Sequence, residues 1–321
     1  MGKIAFIFPG QGSQKVGMGE ALSASSETAR DVFRAADRVL GEPLSQLCFA
    51  GPSEELNLTA NTQPALLTVS VALLRVLGED CDMAAGHSLG EYSAHVAAGT
   101  LDFSDAVWLL RKRGAYMQEA VPVGEGAMAA VLKAEAALVE SICARVDGVV
   151  QPANYNSKGQ VVISGRRKAV DAASNLLRAE GARIVPLPVS APFHSQLMEP
   201  AERRLAVDLQ GTEFRDPRIP VYCNVDAASV TSGDASRDAL RLQVSRPVRW
   251  AETVQRMVQD GASLFVELGP GKVLAGLVRR IVSDVECLNV ETPEDIAPVR
   301  ARIRAKRGLD PSRAVDRDEK Y

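Results

Sequence analysis

The sequence predicts an α/β fold: a parallel sheet covered by helices, with a smaller antiparallel unit inserted in it. Three observations lead there. Strand-like and helix-like runs alternate through the first 120 residues, the pattern of a parallel sheet. The middle instead reads β-α-β-β-α-β, the split ferredoxin-like order. Beyond residue 190 the α/β alternation resumes. The expected division is residues 1–121 and 191–295 for a large domain, 122–190 for the inserted small domain, and 296–321 for a charged tail.

Each element follows from local pattern. Ile4–Phe8 is a continuous apolar run, read as a buried strand. Pro64–Leu77 reads as a helix with proline in its first turn. Cys81–Gly86 is a short strand, Leu89–Ala98 a helix, and Ser104–Ala120 a helix with Ser104 as N-cap. In the insert, Ala127–Leu132 is a strand and Ala134–Val146 a helix. Val149–Asn154 and Gln160–Ser164 are strands joined by a turn at Lys158-Gly159. Arg167–Ala179 is a helix stopped by Gly181, and Arg183–Leu187 a strand. Gln196–Leu209 is a helix, Pro220–Asn224 a strand, Ala251–Gln259 a helix, Leu264–Glu267 a strand and Lys272–Ile281 a helix. From Ile296 onward, eight Lys/Arg and four Asp/Glu accompany few large apolar residues. That composition reads as a solvated tail, in part helical.

Composition narrows the function classes. The chain has 321 residues, 46% hydrophobic and 24% charged, long enough for a sizeable core. A net charge of −3 favours neither nucleic acid nor an anionic membrane. The five cysteines are scattered and form no C-x-x-C, which argues against a disulfide framework or a zinc site and fits a reducing cytosol. No apolar run is expected to reach the ~20 residues of a membrane span. The first strand begins so early that no signal or transit peptide is expected.

Gly86-His87-Ser88-Leu89-Gly90 follows an apolar run, as in a nucleophile elbow. There a serine on a tight strand-to-helix turn projects its hydroxyl for attack. The pentapeptide is weak alone, so the rest of the chain must supply partners. Three histidines are available: His87, His95 and His194. His87 neighbours the serine but should point away from it. His95 reads as a partly exposed helix histidine. His194 lies where the small domain rejoins the large one, a place where clefts form. Imidazole suits acyl transfer because it takes and returns a proton near neutrality. No acidic residue declares itself as a third member, and a backbone carbonyl can orient the ring instead.

At about 100° per residue, Arg113 falls mid-way along the apolar face of its helix, between Leu110 and Met117. An inward guanidinium must be paired. Two readings stay open: an ion pair with a protein carboxylate, or a bidentate clamp for a substrate carboxylate. Pro9-Gly10-Gln11-Gly12 lacks the third glycine of a dinucleotide fingerprint. It is either a plain tight turn or a loop that aims the Gln11 N–H at an oxyanion hole. Gly269-Pro270-Gly271-Lys272 lacks the spacing of a phosphate loop and reads as a strand-to-helix turn. No metal motif is present.

These segments resemble the malonyl-CoA:acyl-carrier-protein transacylases and the related acyltransferase domains of fatty-acid and polyketide synthases. The resemblance rests on Phe8–Gln14, Thr62-Gln63-Pro64-Ala65, Gly86–Tyr92, Arg113-Gly114 through Ala120, Asn156–Val162, Pro192-Phe193-His194, Gln243 through Val248, and Glu267–Lys272, in family order. It implies Ser88 as nucleophile, His194 as base, and the N–H groups of Gln11 and Leu89 as oxyanion hole. Arg113 would bind the malonyl carboxylate, and the Gln243 carbonyl would orient His194. Gln63, His87, Asn156 and Phe193 would stand at the pocket. Phe193, where relatives often carry serine or other residues, would narrow the pocket in favour of malonyl over branched units.

The implied fold is an α/β-hydrolase-like domain carrying a ferredoxin-like insert. The implied partners are malonyl-CoA and a phosphopantetheinylated acyl carrier protein, with no nucleic acid, no membrane, no cofactor and no metal. The expected state is a cytoplasmic monomer, in fatty-acid or polyketide biosynthesis. The tail beyond Asn289 has no family counterpart that can be placed. Basic clusters at Arg111–Arg113, Arg166–Lys168 and Arg279-Arg280 are candidate docking charges, though such clusters are more often solvated faces. The rival readings are a serine esterase or thioesterase, an editing acyl hydrolase, and a non-catalytic scaffold. The first needs no inward arginine; the last does not need Ser88 and His194 together.

Overall fold

A computed structural model describes residues 2–189 and 191–310. Among these described residues, ten strands form two sheets. They are β1 Lys3–Phe8, β2 Met83–Gly86, β3 Gly126–Leu132, β4 Val150–Ser157 and β5 Gln160–Arg166, then β6 Arg183–Pro186, β7 Val221–Tyr222, β8 Ser229–Val230, β9 Ala262–Leu268 and β10 Glu286–Val290. The six-stranded sheet runs β10-β9-β1-β2-β7-β8 and is parallel except for the β7–β8 pair. The four-stranded sheet runs β4-β5-β3-β6 and is antiparallel. Helices Ala136–Arg145 and Arg167–Ala179 complete its β-α-β-β-α-β order. Backbone hydrogen bonds of Ala153 and Tyr155 to Val248 tie β4 to the segment that precedes helix Trp250–Gln259.

Register explains where a site must form. Phe8 pairs with Gly86, so β1 and β2 end side by side. β7 flanks β2 on its other side. The loops after three adjacent parallel strands, carrying Gln11, Ser88 and Asn224, therefore open at one sheet edge, where α/β sheets bind ligands.

Several elements differ from expectation. The helix expected at Pro64 begins at Thr59, so Pro64 lies one turn inside it rather than in its first turn. Thr59–Leu77 is long and apolar enough to cross a membrane by length and composition, against the expectation that no run would be. Yet 78% of that stretch is buried inside the protein. It packs against helices Glu27–Leu40 and Phe103–Glu119, which were respectively unassigned and expected from Ser104. Ser104 is not the cap. Asp102 precedes the helix, makes no side-chain cap bond, and instead pairs with Arg215.

The expected tail needs the largest correction. Pro293–Lys306 is a helix with a capping box at Thr292 and Asp295, and it buries Ile296, Val299 and Ile303. Its arginines read as solvent-facing but are used internally. Arg300 donates to the Val76 and Leu77 carbonyls at the end of the buried helix. Arg304 makes a buried ion pair with Glu79 at 2.7 Å. Residues 311–321 of the expected tail lie outside the described residues.

Candidate active site

Ser88 sits between β2 and helix Gly90–Ala97 at φ 53°, in the left-handed region. That conformation is costly for a non-glycine residue and is held by its surroundings. The flanking glycines are required by contact. A Cβ on Gly86 would lie 1.9 Å from the Gly90 carbonyl carbon, and one on Gly90 would lie 2.2 Å from the Phe8 carbonyl oxygen. The turn is thus wedged against the end of β1.

Two side chains reach the serine hydroxyl. Ser88 Oγ lies 2.7 Å from His194 Nε2. His194, itself at φ 56°, places Nδ1 2.9 Å from the Gln243 carbonyl oxygen. That carbonyl accepts the Nδ1 proton and leaves Nε2 as the acceptor facing the serine. Arg113 Nη2 donates to Ser88 Oγ at 3.2 Å and to Gln243 Oε1 at 2.9 Å, and Nη1 donates to Gln63 Oε1 at 2.6 Å. The guanidinium is 1% exposed. It is held by two neutral amide oxygens, so of the two readings left open the ion pair with a protein carboxylate is not found in its hydrogen bonds.

A cavity of about 100 Å³ opens at this point. Gln11, Gln63, His87, Ser88, Leu89, Arg113, Phe193 and His194 line it. Asn156, expected at the pocket, does not. Its Oδ1 is turned to His87 Nε2 at 2.9 Å, and Asn154 takes the lining position. Met117, Met128, Leu187 and Val189 supply the apolar wall.

Electrostatics follow from burial. Burial first, and the Arg113 charge second, hold the His194 imidazole down to about 3. It is therefore a neutral acceptor at neutral pH. Burial also lowers His87. His95 is not the partly exposed residue expected. It is fully buried, because helix Gly90–Ala97 is covered on every face, and burial lowers it to about 3.

Two residues escaped the sequence reading. Asn224, just after β7, accepts from the Ser88 N–H at 2.7 Å and donates to the Gly86 carbonyl at 2.7 Å. Glu91 Oε2 accepts from the Asn224 N–H at 2.9 Å and from Gln243 Nε2 at 2.7 Å. Burial pushes the Glu91 carboxyl up to about 7. The available signals were the position of Asn224 beyond a strand beside β2, and a carboxylate one turn after the serine.

Among the described residues, one group has metal-ligand chemistry where none was expected: Glu91, His95 and Cys223, with ligand atoms within 4.8 Å of one another. All are buried; the Cys223 thiol donates to Glu91, while both His95 ring nitrogens and Glu91 Oε1 have no hydrogen-bond partner among the described residues. The basic clusters are largely engaged. Arg111 bonds Asn61 and Glu42, Arg166 pairs with Glu125, Arg167 bonds the Gly124 and Gly126 carbonyls, and Arg279 bonds the Cys287 carbonyl.

Residues 5–299 match the family model described as acyl transferase domain. That span runs past Asn289, so part of the expected tail does have a family counterpart. The chain is 49% identical over 304 residues to the malonyl CoA-acyl carrier protein transacylase of Escherichia coli strain K12, covering 92% of this chain and 98% of that one. Among solved structures, an acyl carrier protein S-malonyltransferase from Vibrio cholerae superposes with a TM-score of 0.90 at 46% identity, covering 92% and 99% of the two chains. A malonyl-transacylase solved in complex with its type II PKS acyl-carrier protein gives a TM-score of 0.90 at 44% identity, covering 92% and 97%.

Proposed function

The chain belongs to the acyl transferase domain family, and from that premise we propose that it moves a malonyl group from malonyl-CoA to the phosphopantetheine thiol of an acyl carrier protein. The observation that carries the reading is the buried Arg113 guanidinium, bonded to Ser88 Oγ and otherwise held only by neutral amides. A serine site that handles an uncharged acyl group gains nothing from such a charge and bears its desolvation.

The reaction runs in two displacements. Ser88 Oγ attacks the thioester carbonyl carbon while His194 Nε2 takes its proton. The N–H groups of Gln11 and Leu89 receive the negative charge that develops on the carbonyl oxygen. The carbon–sulfur bond breaks, and the CoA thiolate leaves with the proton from His194. The malonyl ester on Ser88 keeps its carboxylate against Arg113. The carrier thiol then gives its proton to His194 and attacks the ester carbonyl, the bond from the acyl carbon to Ser88 Oγ breaks, and His194 returns the proton to Oγ. The Gln243 carbonyl keeps the imidazole in one tautomer throughout, in the place an acid takes in a Ser-His-Asp triad. Gln63, His87 and Phe193 shape the pocket, with Phe193 favouring malonyl over branched units.

In this reading residues 1–121 and 191–295 form an α/β-hydrolase-like domain, extended by helix Pro293–Lys306. Residues 122–190 form a ferredoxin-like insert whose rim meets the acyl group. The enzyme acts as a cytoplasmic monomer, feeding fatty-acid or polyketide synthesis, without cofactor or metal, nucleic acid or membrane. The rival reading is hydrolysis. A mixture of malonyl-CoA, the protein and a phosphopantetheinylated carrier decides between them. Malonyl-carrier formed faster than free malonate supports transfer, whereas malonate formed first in the presence of carrier sinks it.

A further inference from the structure

We propose that Glu91 is a positioning residue for the transfer reaction, acting through the Gln243 side chain to hold Ser88 and Arg113 in one arrangement. The inference rests on the transacylase reading above. Gln243 touches all three residues. Its carbonyl accepts from His194 Nδ1 at 2.9 Å, its Oε1 accepts from Arg113 Nη2 at 2.9 Å, and its Nε2 donates to the Ser88 carbonyl at 3.0 Å. The first contact is made by the main chain; the other two are made by the side-chain amide, which keeps them only if it is fixed.

Glu91 fixes it. Its Oε2 accepts from Gln243 Nε2 at 2.7 Å, the shortest contact Nε2 makes. The same oxygen accepts the Asn224 N–H, and Asn224 Oδ1 holds the Ser88 N–H. One oxygen therefore secures the elbow from the β7 side and the Arg113 support from the other. Glu91, Asn224 and Gln243 are each 0% exposed, so water offers no substitute acceptor. Removing that acceptor leaves two buried N–H donors unmet, and the Gln243 amide must turn to find another. The consequence couples specificity to catalysis: losing Glu91 loosens the carboxylate clamp and the serine elbow together.

The test compares Glu91→Leu, Glu91→Asp and Glu91→Gln, with rates expressed per active site titrated. Two reactions are followed: acyl loading from malonyl-CoA and acetyl-CoA, and sulfonylation of Ser88 by phenylmethylsulfonyl fluoride. The second forms an Oγ–S bond and releases fluoride without involving a malonyl group. Glu91→Leu is expected to slow sulfonylation at least tenfold and to lower the malonyl-to-acetyl loading ratio about tenfold. Glu91→Gln keeps an acceptor oxygen and recovers both to within about threefold. Should Glu91→Leu fail to fold, Glu91→Asp withdraws the oxygens by one carbon–carbon bond and is expected to show the same two losses.

A residue that merely stabilises the fold would change the melting temperature and the number of active sites, not the rate per site or the acyl ratio. Unchanged values for both in a folded Glu91→Leu or Glu91→Asp overturn the proposal. So does a Glu91→Leu/Gln243→Leu double variant whose losses are the product of the singles, because action through Gln243 requires the second change to add little. Wild-type protein that is sulfonylated but never malonylated refutes the transacylase reading alone, and the sulfonylation series still decides the role of Glu91.

Discussion

Replacing Arg113 by alanine separates its proposed task, binding an anion, from its support of the fold. A malonyl carboxylate that accepts two guanidinium N–H bonds gains charge-assisted hydrogen bonds worth about 1.5–3 kcal/mol each. Losing both amounts to ~3–6 kcal/mol, or about 10²–10⁴ in kcat/KM at 1.36 kcal/mol per tenfold. An acetyl group offers no such partner, and burying it beside the guanidinium leaves the charge unpaired. Arg113→Ala is therefore expected to keep or raise the acetyl rate while the malonyl rate collapses. The same change removes the second-largest influence depressing His194, which strengthens the base for whichever acyl group is bound. The assay is single-turnover loading of Ser88 from malonyl-CoA and acetyl-CoA, followed by intact mass, with the melting temperature measured alongside. Orphaning the Gln63 and Gln243 amide oxygens costs some stability, and the melting temperature reports it separately. Equal losses for malonyl and acetyl would refute the reasoning and make Arg113 a structural residue.

Three further outcomes are expected. His194 is held down to about 3, so it is neutral and competent above that value. The malonyl-loading kcat/KM should keep its base from pH 8 to pH 5 and lose it only further down, and an acidic limb near pH 6.5 in the pH–rate profile would contradict this. Gly90→Ala would set a Cβ 2.2 Å from the Phe8 carbonyl oxygen. It should destabilise by about 1–3 kcal/mol or more and displace Ser88, read as a lower melting temperature together with slower sulfonylation. Arg304→Ala leaves the buried Glu79 carboxylate without its partner. It should cost about 3–5 kcal/mol in a denaturant titration, and a loss under 1 kcal/mol would restore the view of that segment as a solvated tail.

What the sequence disclosed was whatever depends on periodicity and short motifs. The alternation of elements located most strands of both sheets, and the helix Arg167–Ala179 matches residue for residue. Arg113 was legible because a charge on an apolar face breaks a pattern. Gln243 has no such mark and enters only through the family resemblance: it closes helix Gly233–Gln243, an element the periodicity does not assign, and its role depends on a fold that brings residues 88, 113, 194 and 243 together. Asn224 was hidden for the same reason, since only the order β1-β2-β7 sets it beside Ser88. Charge misled at the C-terminus, where arginines that look solvent-facing bond carbonyls at the end of the buried helix. His95 misled in the opposite sense: a polar residue in a short helix suggests an exposed face, but this helix lies beneath the elbow and has none.

The central claim is that Ser88 carries the malonyl group while Arg113 holds its carboxylate. Incubating the protein with malonyl-CoA alone, then mapping the adduct by peptide mass, tests it most directly. The account predicts one malonyl group per chain, on Ser88, stable to water for far longer than a turnover and discharged on adding phosphopantetheinylated carrier. An adduct on another residue, or CoA released continuously with no adduct retained, would contradict it.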